Sequence, residues 1–303
     1  MKKTYFSVEK DGFYGAYFKC RKDTEKAVIL MLGDNIDDFM AMAGAKWVMK
    51  KDCNVMTMSP AKNDYSHHNY PLERFEKAID FLKKQGNTKI GIAGASTTGM
   101  LALVAASYIP DITLTIAISP SDFVMEGFYR DGLDGARERP GDYESSVSYR
   151  GEPLPFLPYA YRHPEYWQMI EKEAKEGGDM VASRKLFDES ERRHPLQEEE
   201  KIKVENIKGK IVFVGAEDDV LWDTCRYIRR MAERLETLPH DCVYELLTYE
   251  HGTHFAFPYS MINPLLTSLL VSFEFRVGKQ FPKECRATRI DIDKKLSEII
   301  IKW

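Results

Sequence analysis

No two cysteines in this chain are spaced as CxxC. The five present, Cys20, Cys53, Cys225, Cys242 and Cys285, are odd in number and widely scattered. That pattern gives no disulfide framework, and reduced thiols in a cytoplasmic protein are expected. Charge of one sign is not in excess either. Lys and Arg number 43 against 47 Asp and Glu, a net charge of −4, so there is no electrostatic case for a nucleic-acid partner. Long apolar runs are also missing. Lys2 and Lys3 are followed by no hydrophobic stretch, so no signal peptide is expected. The run from Pro264 to Phe275 is too short for a membrane span and carries Glu274, so no membrane contact is expected. No internal repeat or low-complexity tract occurs. What the chain does have is a globular composition, 44% hydrophobic and 30% charged over 303 residues, enough to bury a sizeable core.

Strand-like and helix-like segments alternate. Residues 1–25 suit an antiparallel hairpin turned at Lys10-Asp11-Gly12. Ala27–Leu32 is a continuous apolar run ended by Gly33, the pattern of a strand buried on both faces. Further strands are expected at 54–58, 89–93, 112–118, 210–214 and 243–249. Helices are expected at about 38–51, 71–85, 97–108 and 223–237, with more at the C-terminus. Such alternation implies a mostly parallel sheet with helices on both faces, here within a single domain over 1–303. Residues 120–200 break the pattern. They are rich in Pro, Gly, Tyr, Arg and Glu, show no strand-like run, and allow helices at 159–175 and 179–192. An insertion over 120–205 serving as a helical lid is expected, its aromatics (Phe156, Tyr159, Tyr161, Tyr166, Trp167) suggesting an apolar cavity.

Three short motifs each follow a strand. Gly94-Ala95-Ser96-Thr97-Thr98-Gly99 puts Ser96 between a strand and a helix, where a nucleophile elbow lifts a hydroxyl above the sheet edge. An elbow normally has glycine two residues after the serine, and Thr98 stands there instead. A phosphate loop would need Lys after Gly99, where Met100 follows; a dinucleotide fingerprint fails at its third glycine. A tight turn with Ser96 and Thr97 as helix caps is the plainer alternative. Gly215-Ala216-Glu217-Asp218-Asp219 supplies an acid at a strand's C-terminal end, where α/β proteins bind ligands. Asp218, three residues after the glycine, is the first choice; Asp219 and Glu217 compete, as does a role in capping the helix that follows. His251-Gly252-Thr253-His254 supplies a base, His254, with His251 as rival. No helical HExxH exists and no metal or organic cofactor is expected. His67 and His68 read as surface residues of a loop that could border the site. The N–H of Thr97 and that of Asp34, with Asn35 next, are the expected oxyanion donors. The Asp34 side chain would then turn away to cap the helix after it.

The order Ser96, Asp218, His254 resembles the triad of α/β-hydrolases. More narrowly, 202–211, 215–222 and Tyr249–His254 with Pro258-Tyr259 are similar to the C-terminal catalytic domain of the acyl-CoA thioesterase and bile-acid-CoA:amino-acid N-acyltransferase family, and in part to dienelactone-hydrolase-like esterases. The resemblance covers roughly 25–275. It implies an α/β-hydrolase fold and a serine hydrolase acting on a small acyl ester or thioester. Thioesterases of that family commonly carry an N-terminal β-sandwich; about 26 residues precede the first core strand here. Its acyltransferases typically use cysteine as nucleophile, so Ser96 favours hydrolysis. A simple carboxylesterase or lactonase, or a non-catalytic binding domain of the same fold, are the alternatives.

Overall fold

The computed structural model describes residues 3–60, 67–129, 138–262 and 275–303. Residues 263–274, most of the apolar run beginning at Pro264, and 130–137 of the insertion lie outside that set.

The chain opens with β1 (Lys3–Phe6), a one-turn helix α1 (Val8–Asp11) and β2 (Gly15–Phe18). β1 and β2 pair antiparallel, the expected hairpin, with Ser7 capping α1 and Gly12 leaving it in the left-handed conformation. Then follow β3 (Lys26–Met31), α2 (Phe39–Met49), β4 (Asn54–Met58), β5 (Tyr70–Pro71), α3 (Glu73–Lys84), β6 (Lys89–Ala95), α4 (Thr97–Tyr108) and β7 (Ile112–Ile118). After the insertion come β12 (Lys210–Ala216), α7 (Thr224–Thr237), β13 (Val243–Tyr249), α8 (Arg276–Gln280) and α9 (Pro282–Lys302).

The main sheet has eight strands in the order β1-β2-β4-β3-β6-β7-β12-β13. From β4 to β13 neighbours are parallel; β2 joins antiparallel to β4. β3, β6, β7 and β12 are apolar almost throughout because they lie inside the sheet and are covered on both faces. Two apolar clusters result, one on each face. α3 and α7 have one apolar stripe each, whereas α4 buries Thr98 to Ala106 without interruption and runs through the core. The parallel arrangement brings the C-terminal ends of β3, β6, β7, β12 and β13 to one rim.

The insertion differs from its expected form. Among its described residues are four short strands as well as helices: β8 (Glu126–Tyr129), β9 (Arg139–Ser145), β10 (Val147–Tyr149) and β11 (Glu152–Pro153) precede α5 (Glu165–Gly177) and α6 (Arg184–Arg193). β8 pairs with β9, and β10 sits between β11 and β5. These strands are held by polar anchors as much as by apolar alternation. Glu126, wholly buried, takes N–H bonds from Tyr143 and Tyr159 at 2.9 and 2.8 Å and a two-pronged ion pair from Arg162.

Candidate active site

Ser96 sits between β6 and α4 with φ 61° and ψ −131°. A non-glycine residue in such a conformation costs about 1–3 kcal/mol and persists only where its surroundings fix it. Here the Ser96 N–H donates to the Ile118 carbonyl at the end of β7, at 2.8 Å. Gly94 has no room for a side chain, since a Cβ would collide with the Thr98 carbonyl. The Ser96 hydroxyl makes no cap bond to α4, so Ser96 does not cap this helix through its side chain. Thr98 fits the turn through its hydroxyl. That oxygen accepts the Ala95 N–H at 3.0 Å and lies 2.8 Å from the carbonyls of Met31 and Ala95. It thereby ties the serine turn to the end of β3.

The acid beside His254 is Asp219, not Asp218. Asp219 Oδ2 lies 2.8 Å from His254 Nδ1, and both side chains are fully buried. The Asp219 carboxylate also accepts the Thr224 hydroxyl at 2.5 Å and the Leu221 N–H at 2.9 Å. Asp218 turns to the neighbouring stretch of backbone. It accepts the Thr253 N–H at 2.8 Å and the Gly252 N–H at 3.1 Å, and lies 3.2 Å from His251 Nδ1. Burial pushes the Asp218 carboxyl above its ordinary pKa, against the opposing pull of those N–H groups and of His251. Counting residues from Gly215 selects the wrong neighbour because successive side chains of this turn leave in different directions. The adjacent acids thus serve different histidines. Asp223, next along, caps α7 by accepting the Arg226 N–H at 3.1 Å.

His254 is held on three sides. Its carbonyl accepts the Ser119 hydroxyl at 2.9 Å, just past β7. Its ring meets Trp222 edge-on at 4.6 Å, and the Trp222 N–H donates to the Ser119 carbonyl at 3.2 Å. Its outer nitrogen, Nε2, is buried and has no hydrogen-bond partner among the described residues. His251 instead stacks on Phe281 at 3.9 Å.

A cavity of about 440 Å³ opens over the serine turn. Leu32, Phe39, Met40, Phe255, Phe257 and Ile262 give it an apolar wall, with Ser96 and Thr97 on its floor and Gly33, Asp34 and His67 also lining it. Thr97 opens α4, so its N–H has no partner within the helix. The Asp34 N–H does not match its expected part. It donates to Asp38 Oδ2 at 2.8 Å, and the Asn35 N–H does so at 3.0 Å. Asp38 also caps α2 through the Ala41 N–H at 2.9 Å, the task expected of Asp34. Gly33 is required beside it: φ is 79°, and a Cβ would strike the Asp38 carboxylate. The signal for this role in the sequence is Asp38 itself, an acid directly ahead of the apolar helix α2.

Among the described residues none of 120–205 lines this cavity. Tyr159 and Tyr166 are buried with Phe128, and Tyr159 also packs on Phe187. The insertion touches the acid turn. Arg184 donates to the carbonyls of Glu217 and Asp219 at 3.1 and 3.2 Å and pairs with Asp223 at 2.5 Å.

The strand order and the serine turn define an α/β-hydrolase. Among solved structures, the 2,6-dihydroxy-pseudo-oxynicotine hydrolase is similar over 99% of this chain and 68% of its own, at 12% identity and a TM-score of 0.51. The esterase domain from a Rhodothermus marinus protein is similar over 98% of both chains, at 9% identity and a TM-score of 0.47. No curated protein sequence matches the chain. Residues 70–287 match the family described as BAAT / Acyl-CoA thioester hydrolase C terminal, and the chain belongs to that family. It is by family a hydrolase acting on ester bonds. No helix among the described residues is long and apolar enough to cross a membrane.

Proposed function

We propose that the chain is a serine hydrolase that cleaves a small acyl ester or thioester through Ser96, His254 and Asp219. The Ser96 hydroxyl attacks the carbonyl carbon while His254 Nε2 takes its proton. The Thr97 N–H donates to the oxyanion as it forms, and Asp219 holds the imidazole in one tautomer and stabilises its charged form. Collapse expels the alcohol or thiol, which receives the proton from His254. Water, deprotonated by the same nitrogen, then attacks the acyl-enzyme and releases the acid. No cofactor enters these steps.

One observation carries this reading: a buried imidazole bonded to a buried carboxylate, its other nitrogen unpartnered, anchored through Ser119 at the rim that holds the strained Ser96. Family membership supports the ester class, and the apolar wall suits an uncharged acyl or alcohol arm. A fluorophosphonate probe tests the assignment. The wild-type protein should label at Ser96. Ser96→Ala should abolish labelling and cut turnover of p-nitrophenyl esters by several orders of magnitude, since relay residues act as a unit. Undiminished ester turnover by that variant rejects it. A parallel panel of acyl-CoAs decides between thioester and simple ester.

A further inference from the structure

Asp218 is left outside the relay just described, yet it sits in a turn built around it. Its carboxylate accepts two consecutive backbone N–H groups, of Gly252 and Thr253, the residues immediately before His254. Thr253 has φ 60°, a conformation unfavourable for a branched side chain. The bond at 2.8 Å from its N–H to Asp218 fixes that kink, and the kink aims the next residue. His251 covers the outer side of the carboxylate, with its own ring stacked on Phe281 and its carbonyl bonded to the Thr288 hydroxyl of α9.

We infer that Asp218 is a positioning residue for the base: it grips the backbone of the 251–254 loop while Asp219 grips the ring. The inference rests on the serine-hydrolase reading above. The Asp219 carboxylate, the Ser119 hydroxyl on its carbonyl and the Trp222 ring hold His254 itself. The clamp on Thr253 fixes the backbone that leads into it and so completes the direction of Nε2. Two adjacent acids at the end of β12 therefore divide one task, and neither replaces the other.

The experiment compares Asp218→Ala, Asp218→Asn and Asp219→Asn in the full chain on a p-nitrophenyl ester. Asp218→Ala should lower kcat about 100-fold, the order expected when a reacting group is misplaced by about an ångström. Asp218→Asn keeps one acceptor oxygen for the loop and should lose less. KM should stay within about twofold in both, because the clamp touches no substrate. The downfield proton resonance of the His254 Nδ1–H should survive in both Asp218 variants and vanish in Asp219→Asn, which should lose about 10⁴-fold in kcat. An Asp218→Ala protein as active as wild type would overturn the inference. So would loss of the downfield signal in Asp218→Asn, which would make Asp218 the acid itself. Should Asp218→Ala fail to fold, hydrogen exchange in the wild-type protein decides. The Gly252 and Thr253 amides should be as protected as those of β12, and exchange at the solvent rate refutes the clamp. A wild-type protein that does not label at Ser96 sinks the serine-hydrolase reading instead, while the exchange measurement still reports on the clamp.

Discussion

The hydroxyl of Thr98 does what no glycine could at that point of the turn. It joins the Ala95 N–H to the Met31 carbonyl and so fastens the serine turn to the end of β3. Thr98→Val keeps the shape and removes the oxygen, leaving the Ala95 N–H without its acceptor. Leaving a buried polar group unsatisfied costs about 1–3 kcal/mol. The variant should lose that much in urea denaturation and label more slowly with a fluorophosphonate. Thr98→Gly should be worse still in stability, since it also frees the backbone of the first helical turn. At this scale the sequence was readable in residue type and less so in residue choice. The places of Ser96 after β6 and of His254 after β13 were legible. The choice between Asp218 and Asp219 could not, because both follow the same strand and only the direction of each side chain separates them.

Among the elements, the core strands declared themselves and the insertion did not. β4, β7 and β13 have the bounds expected of them, and β3, β6 and β12 lie within about two residues. β3, β4, β6, β7 and β12 are runs whose apolarity follows from their place inside the sheet, whereas β13, at its edge, is largely exposed or half-buried. β8 and β9 carry Gly127, Pro140, Gly141 and charged residues, so neither alternation nor apolar continuity marks them. Their stability comes from a buried carboxylate contacted across loops, which no local pattern announces. Arg162→Ala tests this. It would leave Glu126 buried and unpaired, and breaking a pair of that kind costs about 3–5 kcal/mol. Urea unfolding should show a midpoint shift of that size with little change in slope. An effect below about 1 kcal/mol would mean that the pair behaves like an exposed one.

For the whole molecule, the joint between the insertion and α7 is an ionic one. Asp122, buried at the start of the insertion, takes two bonds from Arg230, which also holds Glu191 of α6. Burial outweighs that attraction and pushes the Asp122 carboxyl up to about 6. A carboxyl whose folded value is raised binds its proton more tightly in the folded state. Its stabilising contribution is therefore complete below the ordinary carboxylate range and is lost as pH rises through about 6. Asp122→Asn removes that dependence. The difference in unfolding free energy between the variant and the wild-type protein should move in the variant's favour between pH ~4 and ~7, measured by urea denaturation at several pH values. A difference that does not vary with pH would show that Asp122 titrates normally.

Arg184 belongs to the insertion, yet two of its bonds end on carbonyls of the turn that carries Asp219. Grafting a relative's insertion onto this scaffold would therefore remove two donors from the turn that carries Asp219, unless the graft brings an arginine of equal reach. The insertion is therefore fastened, through one guanidinium, to the turn that places Asp219 beside His254.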